Sequence, residues 1–290
     1  MSLKKMAVAL LFATNALAAG HLSVAGTVFV QPDGQAFAWR GITAFRLVEF
    51  VAHDRRADAE AYLNWAASRR VTVVRVLAMA DGLFTLSPAD GEHALGPMLD
   101  LARKHGLYVE AVALADTAGM AVDIPRSVKA IGGVCAAFDN CLLEIANEPG
   151  HGTQAKRLRD PSYVKSLMPL IPAGVPVSLG SVEFGDGFGA GTYVTWHAPR
   201  ARPVASLDAG ARLLKRFKKP VISDEPIGAA DARIAGRRES DPEVFRQMAR
   251  RSRQIGLGAT FHYEGGLQAR IPAGRELECF DAWMAEMLRD

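Results

Sequence analysis

Two glutamates stand between a short apolar run and a proline. Glu148 follows the run 142–146 as the centre of Asn147-Glu148-Pro149, and Glu225 follows Val221-Ile222 within Ser223-Asp224-Glu225-Pro226. Because proline cannot continue a hydrogen-bonded ladder, each apolar run is predicted to be a strand that ends at its glutamate. Two carboxyl groups can divide the acid/base and nucleophilic steps of a substitution between them. Glu148 and Glu225 are therefore the candidate catalytic residues.

Other kinds of catalytic site have little support in the sequence. The histidines show none of the close spacings that build a zinc site; they stand at positions 21, 53, 93, 105, 151, 197 and 262. No glycine-rich phosphate loop follows a first strand, and no Gly-x-Ser-x-Gly elbow is present. The formal net charge of +3 is small, and the basic residues are dispersed along the chain rather than clustered as in a nucleic-acid-binding surface. We expect no metal, no cofactor and no nucleic-acid partner.

The elements that must position the two glutamates alternate along the chain. Short apolar runs predict eight strands, at 41–45, 72–77, 108–114, 142–146, 176–180, 193–197, 221–225 and 258–262. Amphipathic stretches predict helices at 57–68, 93–105, 124–138, 153–170, 205–217, 241–254 and 276–288. This alternation favours an α/β fold, a closed (β/α)8 TIM barrel. The connection 181–192 is short and glycine-rich, so its helix is predicted to be absent or one turn long.

The residues before the first barrel strand have a pattern of their own. Apolar runs at 22–24, 27–30 and 36–39 are separated by the turn signals Ala25-Gly26 and Pro32-Asp33-Gly34. This pattern predicts a small N-terminal β-hairpin. In a barrel, such a hairpin would close the bottom, opposite the face that carries the chemistry.

The barrel predicts where the side chains point. Active sites of this fold lie at the carboxyl ends of the strands, and the fourth and seventh strands face each other, so Glu148 and Glu225 should meet. Glu144 has the same parity as Glu148, which predicts an inward side chain that partners an interior cation such as Arg75. The same alternation is expected to turn Asp224 away from Glu225 and toward the helices.

Several motifs resemble those of a known family. Asn147-Glu148-Pro149 after an apolar strand resembles the Asn-Glu-Pro motif of clan A glycoside hydrolases, most closely the cellulase-like glycoside hydrolase family 5. The resemblance covers nearly the whole chain after residue 18. Its other motifs are Asp33-Gly34-Gln35-Ala36-Phe37, Arg40-Gly41-Ile42, Val73-Val74-Arg75-Val76, Trp196-His197 and Ser223-Asp224-Glu225.

The resemblance implies a role for each matching residue. It implies retaining hydrolysis of β-glycosidic bonds in an oligo- or polysaccharide, with Glu148 as acid/base and Glu225 as nucleophile. Asn147 would hydrogen-bond the sugar 2-hydroxyl, Arg75 would hold Glu225 ionised, and His197 would face the substrate. General electrostatics agrees: a nearby arginine lowers a carboxyl pKa, whereas a second carboxylate and partial burial raise the pKa of its partner. We therefore expect Glu225 to be ionised and the pKa of Glu148 to be raised.

The eighth strand departs from the family pattern. The tryptophan that often ends this strand as a sugar platform is absent, and Phe261-His262-Tyr263-Glu264 stands in its place. Phe261 and Tyr263 are therefore the candidates for stacking on a sugar ring. Pro226 also stands where the family usually has a small residue and glycine closely after the nucleophile. A non-catalytic barrel that binds glycans is the alternative that these departures suggest, and a transglycosylase that remodels cell-wall or capsular glycan is another.

The first residues resemble an export signal. Lys4 and Lys5 precede the apolar run 6–13, and Ala16-Leu17-Ala18 fits the small-x-small pattern of a signal-peptidase site. We expect residues 1–18 to be a signal peptide and 19–290 to form one barrel domain that is secreted or periplasmic. The apolar run is far shorter than the roughly 18 residues that span a bilayer, so no membrane span is expected.

The cysteines leave two possibilities open. Cys135 and Cys141 are close in sequence and could form a disulfide in an oxidising compartment. Alternatively, these two residues and Cys279 could all be small buried apolar side chains.

Overall fold

The computed structural model describes residues 20–199, 202–225, 241–263 and 270–289. The predicted signal peptide, Pro226 and Glu264 lie outside these residues. Among the described residues, no helix is both long and apolar enough to cross a membrane.

A three-stranded antiparallel sheet precedes the barrel. It consists of β1 (Ser23–Ala25), β2 (Val28–Val30) and β3 (Ala36–Phe37). Its central residue Phe29 stacks on Trp39 with ring centroids 5.4 Å apart, and meets Tyr193 edge-on at 5.4 Å. Phe29 shares one buried cluster with inward residues of the barrel, including Tyr108 and Leu142. The sheet therefore closes the bottom of the barrel, as the hairpin pattern predicted.

Eight parallel strands form the barrel. They are β4 (Arg40–Thr43), β5 (Val73–Leu77), β6 (Tyr108–Leu114), β7 (Cys141–Ala146), β8 (Val177–Ser178), β9 (Val194–Trp196), β10 (Val221–Ser223) and β11 (Gly258–Phe261). Their order is β8-β7-β6-β5-β4-β11-β10-β9. The two end strands meet through a parallel bridge between Ser181 and Thr195, and the hydroxyls of Ser178 and Thr195 are 2.9 Å apart. The predicted (β/α)8 barrel is confirmed.

Helices cover the outside of the barrel. They are α1 (Leu47–Ala52), α2 (Arg56–Ser68), α3 (Pro88–Lys104), α4 (Ile124–Ala136), α5 (Pro161–Ser166), α6 (Pro203–Ser206), α7 (Asp208–Phe217), α8 (Pro242–Ile255) and α9 (Gly274–Met287). Between β8 and β9 lie only the short 3-10 turns Val182–Phe184 and Asp186–Ala190, as the glycine-rich connection predicted. The helix predicted over 153–170 is shorter, because Pro161 starts α5 and 3-10 turns flank it.

The cysteine pair left open by the sequence is joined. Cys135 at the end of α4 and Cys141 at the start of β7 form a disulfide, with their Cα atoms 5.1 Å apart. Cys279 is a buried free thiol in α9.

The barrel interior is layered from bottom to top. Side chains two positions apart on a strand point to the same side, so each inward apolar residue is followed by another inward residue. In five strands, or directly beside their ends, this second residue is polar or charged: the pairs are Val73 and Arg75, Tyr108 and Glu110, Leu142 and Glu144, Tyr193 and Thr195, and Ile222 and Asp224. A buried polar layer thus separates the apolar bottom of the barrel from the face where Glu148 and Glu225 lie.

Candidate active site

The turn after β7 presents Glu148 at the barrel rim. Glu148 has φ +42°, a left-handed backbone conformation that side-chain-bearing residues rarely adopt and that costs about 1–3 kcal/mol. The turn is held by a 2.8 Å hydrogen bond from the His151 amide to the Glu148 carbonyl. Gln154 also donates its side-chain amide to the carbonyls of Asn147 and Leu114. The strain and the bonds that maintain it indicate that the position of this glutamate is functionally constrained.

Arg75 connects the two sides of the barrel. Its Nη1 donates to Oε1 of Glu225 at 2.7 Å, and its Nη2 donates to Oε2 of Glu144 at 2.7 Å and to Oδ1 of Asn147 at 2.9 Å. The predicted contact between Arg75 and Glu144 is therefore present. A guanidinium can only donate, so Asn147 turns its oxygen to Arg75 and leaves Nδ2 as its donor for another group. The positive charge beside Glu225 stabilises the ionised form of that carboxyl group.

His197 lies between the two candidate catalytic carboxyl groups. Its Nδ1 is 3.3 Å from Oε1 of Glu148, and its Nε2 is 3.9 Å from Oε1 of Glu225. One carboxylate oxygen of each glutamate and one nitrogen of the histidine all lie within 4.8 Å of one another. The backbone amide of His197 donates to Oγ of Ser181 at 3.0 Å, which fixes the strand end that carries the ring. The structure thus brings Glu148, Glu225, Arg75, Asn147 and His197 together.

The electrostatic state of Glu148 differs from the expectation. Burial raises the pKa of Glu148, but the hydrogen bond from His197 and its positive charge outweigh burial, so the pKa lies below its ordinary value. Burial lowers the pKa of His197, but the charges of Glu225 and Glu148 outweigh it and raise that pKa. The expectation of a raised Glu148 pKa is wrong for this geometry because it omitted the histidine. At a pH between these two pKa values, the proton of the pair lies on His197 rather than on Glu148.

A second group of carboxylates lies beneath the rim. Oε1 of Glu110 accepts a 2.8 Å hydrogen bond from the hydroxyl of Tyr193, and Oδ1 of Asp224 accepts one of 3.4 Å from Thr260. Oε2 of Glu110 and Oδ2 of Asp224 lie 3.6 Å and 4.0 Å from Nε of Arg75. Burial, followed by the charge of Glu144, raises the pKa of Glu110 to about 7. Burial, followed by the charge of Glu110, raises the pKa of Asp224 well above its ordinary value.

The predicted direction of Asp224 is wrong. The prediction applied strict alternation to Glu225 and therefore turned Asp224 outward. Asp224 continues the inward parity of Ile222. Glu225 also approaches the barrel axis, because β10 ends at Ser223 and strict alternation no longer applies there. Both carboxyl groups therefore face Arg75.

Phe261 and Tyr263 do not lie at the site. The ring centroid of Phe261 is 5.3 Å from that of Phe280 and 5.9 Å from that of Trp283, and Tyr263 stacks on Phe245 at 6.1 Å. The inward positions of this part of the chain are Thr260 and His262, so the two aromatic residues face α8 and α9. The proposed sugar-stacking role of Phe261 and Tyr263 is corrected on this ground.

The partly exposed Phe45 is the aromatic residue beside Arg75. The guanidinium carbon of Arg75 is 5.5 Å from the centroid of the Phe45 ring, and the ring of His262 is 6.0 Å away. His262 is fixed in turn, because its Nδ1 lies 3.1 Å from the Thr43 hydroxyl. The sequence analysis missed Phe45, although counting alternate positions from Gly41 through Thr43 would have pointed it inward.

The arrangement of charges favours proton transfer over metal binding. Among the described residues, two groups bring three potential ligand atoms within 4.8 Å of one another: Glu148, His197 and Glu225, and separately Glu110, Glu144 and Asp224. Arg75 donates directly to Glu225 in the first group and to Glu144 in the second. A cation at either position would lie against a guanidinium that already uses these carboxylates, and the two positive charges would repel each other.

Comparison with known proteins gives matches in structure. No protein-family model and no curated protein matches this chain by sequence. A β-glucanase from Saccharophagus degradans in complex with cellotetraose has a TM-score of 0.67 and 12% identity, covering 98% of this chain and 97% of that one. An endo-1,4-β-mannanase from Rhizomucor miehei has a TM-score of 0.62 and 13% identity, covering 83% and 89%. A putative glycoside hydrolase from Bacteroides vulgatus has a TM-score of 0.67 and 18% identity, covering 93% and 60%.

The chain has the fold of these glycoside hydrolases. At such low sequence identities the similarity concerns the fold alone, and it agrees with the (β/α)8 barrel expected from the sequence.

Proposed function

We propose that this protein is a retaining glycoside hydrolase that cleaves β-glycosidic bonds of an oligo- or polysaccharide by double displacement. The observation that carries the proposal is the spacing of Glu148 and Glu225, which present carboxylate oxygens within 4.8 Å of each other at the barrel rim. Double displacement requires a separation of about 5 Å, whereas an inverting pair is about 6.5–9.5 Å apart to admit a water molecule.

The two glutamates have different surroundings, which support different roles. Glu225 is almost fully buried and accepts a hydrogen bond from Arg75, so it is an ionised nucleophile for the anomeric carbon. The Glu148 side chain is 27% exposed and contacts His197, so it can reach the leaving oxygen and has a proton source beside it. Glu148 would protonate the leaving group and then activate water to release the sugar from Glu225. Asn147 would use its Nδ2 donor to bind the sugar 2-hydroxyl.

The substrate class is proposed from the proteins that share the fold. Two of those proteins are named as a β-glucanase and an endo-1,4-β-mannanase, and the β-glucanase holds cellotetraose. A β-linked glucan or mannan is therefore the first substrate class to test. Export is part of the proposal: residues 1–18 would be removed, and an oxidising compartment would allow the Cys135–Cys141 disulfide to persist.

The test is a substrate screen with matched variants. Purified protein is assayed on aryl β-glycosides and on dyed β-glucan and β-mannan, beside Glu148→Gln, Glu225→Gln and the exposed helix α9 variant Glu278→Gln. We expect hydrolysis by the parent protein and by Glu278→Gln, and a loss of at least about a thousandfold in the other two. Folded parent protein that is silent on the whole panel would instead favour a glycan-binding barrel. Products longer than the substrate would favour a transglycosylase.

A further inference from the structure

A pair of buried carboxyl groups lies beneath the candidate nucleophile without enough donors. Glu110 and Asp224 are both fully buried, and one oxygen of each lies within 4.8 Å of the other and of a Glu144 oxygen. Oε2 of Glu110 and Oδ2 of Asp224 accept no hydrogen bond from any residue in the described part of the chain. Nε of Arg75 lies 3.6 Å from the Glu110 oxygen and 4.0 Å from the Asp224 oxygen, but its hydrogen bond goes to Glu144 at 3.2 Å. An unsatisfied buried acceptor is costly, and a proton on either carboxyl group would supply the missing donor.

The charges around the pair also require a proton. The charged and titratable groups that face it are Arg75 from β5, Glu144 from β7, Tyr193 from β9, His197 beyond β9, and Glu225 beyond β10. Strand β11 contributes the neutral hydroxyl of Thr260. If all four carboxyl groups (those of Glu110, Asp224, Glu144 and Glu225) were ionised, two negative charges would be in excess even with Arg75 and His197 both positive. Such an excess is removed most cheaply when a carboxyl group takes up a proton.

We propose that Glu110 and Asp224 are both protonated and act as positioning residues, which hold Arg75 in place without neutralising the charge that it offers to Glu225. This inference rests on the proposed glycosidase function for its effect on catalysis. Glu144 and Glu225 accept the direct hydrogen bonds of Arg75, and the protonated pair fills the space along its Nε edge. Because the protonated pair is neutral, the guanidinium charge acts on Glu225 and Glu144, which accept its hydrogen bonds. Loss of the proton from Glu110 would add a negative charge that competes with Glu225 for Arg75.

The test compares neutral substitutions across a pH range. Glu110→Gln has the size of the protonated carboxyl group and cannot ionise, so its kcat/KM should lie within about twofold of the parent below about pH 6. Above about pH 8 only the parent carries the extra charge beside Arg75, and the ratio of variant to parent should change threefold or more. The expected change is an increase, and a change in either sense reveals an ionisation that glutamine lacks. A ratio that stays constant across this range would overturn the inference, because a hydrogen-bonding role alone does not depend on pH.

Two further variants keep the experiment decisive. Burial raises the pKa of Glu276 in α9 to about 7 as well, yet this residue pairs with Arg270 outside the barrel interior, so Glu276→Gln should leave the ratio at one throughout. Tyr193→Phe removes the donor that favours ionised Glu110, so it should move the change in kcat/KM to higher pH. If Glu110→Gln fails to fold, Tyr193→Phe decides alone: an unmoved profile would contradict the inference.

A measurement without substrate separates this inference from the proposed function. Carboxyl carbons are followed by nuclear magnetic resonance in the parent and in Glu110→Gln or Tyr193→Phe. A resonance that titrates near pH 7, disappears with Glu110→Gln and moves upward with Tyr193→Phe would establish the protonated form of Glu110 even if no substrate were cleaved. The absence of any such resonance would overturn the inference, whether or not the parent protein is an active glycosidase.

Discussion

Nη1 of Arg75 donates a hydrogen bond of 2.7 Å to Oε1 of Glu225, a residue 150 positions later in the chain. Arg75 is fully buried, and its remaining hydrogen bonds join it to Glu144 and Asn147. A buried ion pair gives little net stability over an apolar replacement of the same shape. Removing one partner is different, because the other charges stay buried without compensation. Arg75 therefore both positions the side chains at the rim and compensates the buried carboxylates on which the stability of the barrel depends.

We predict that Arg75→Met lowers the free energy of unfolding by about 3–5 kcal/mol at neutral pH. The loss should be smaller at acidic pH, because the carboxyl groups left behind take up protons there. The measurement is urea denaturation followed by far-ultraviolet circular dichroism. The control is Arg69→Met, which breaks an exposed 3.1 Å ion pair with Asp281 and should cost less than about 1 kcal/mol. Equal losses in the two variants would contradict a structural role for the Arg75 cluster.

The barrel was predictable because its signals are local. Eight apolar runs alternate with amphipathic stretches, and each run corresponds to an observed strand. Helix α1 was not predicted, since Leu47–Ala52 is short and the residue before it, Arg46, makes no side-chain cap. The split of the segment 153–170 follows from Pro161, whose missing N–H favours the first turn of a helix and disfavours its interior.

Alternation predicted the direction of Glu144 and failed at Glu225. Alternation placed Glu144 inward correctly, because β7 extends to Ala146. It failed at Glu225, because β10 ends two residues before it, at Ser223, so counting the alternation back from Glu225 turned Asp224 outward incorrectly. The close approach of the Glu110 and Asp224 carboxyl groups could not be predicted from the sequence. It depends on which residues point inward from β6 and from the end of β10, two strands that are not neighbours in the sheet.

We predict that His197→Gln moves the alkaline limb of kcat/KM to lower pH. In the parent, the pair of His197 and Glu148 keeps its proton until the raised pKa of the histidine is passed. In the variant only Glu148 can hold that proton. Burial and the charge of Glu225 raise the pKa of Glu148, but they raise it from the ordinary carboxyl range, which lies below that of histidine. The measurement is a pH profile on an aryl β-glycoside that requires acid assistance. His53→Gln, an exposed histidine that contacts the Thr85 carbonyl, serves as the control and should leave the limb unchanged. An alkaline limb that does not move in His197→Gln would show that the histidine does not hold the proton.

We predict that Gly180→Ala disturbs the turn that carries Glu148. Gly180 has φ +131°, and an added Cβ would lie 2.5 Å from the Ala146 carbonyl oxygen and 2.9 Å from Cδ of Pro149. Gly174 is the matched control, because its φ is also positive at +95° but nothing lies within 4 Å of its Cβ position. Both substitutions carry backbone strain, so the contacts with Ala146 and Pro149 account for any difference between them.

Gly180→Ala should therefore lower the free energy of unfolding by about 1–3 kcal/mol more than Gly174→Ala. It should also lower kcat of the folded protein, since a shift of Pro149 displaces the adjacent Glu148. Denaturation and steady-state kinetics on the same preparations measure both effects. If the two alanine variants behave alike, the packing of Gly180 against the turn does not determine the position of Glu148.

The sharpest prediction separates the two glutamates by their chemistry. Glu225→Ala should abolish hydrolysis, and azide should restore turnover by attacking the anomeric carbon in place of the missing carboxylate. One displacement then occurs instead of two, so the product should be a glycosyl azide of inverted configuration. Nuclear magnetic resonance of the anomeric proton identifies the product.

Glu148→Ala should give the opposite stereochemistry. With an aryl glycoside whose leaving group needs no protonation, Glu225 can still form the glycosyl-enzyme, but no base remains to activate water and the intermediate accumulates. Azide needs no base, so it should release the sugar with retained configuration after two displacements. The expected difference follows from the proposed roles, in which Glu225 bonds to the anomeric carbon and Glu148 acts only as acid and base. Azide products of the same configuration from both variants, or full activity in either variant without azide, would refute the assignment of nucleophile and acid/base.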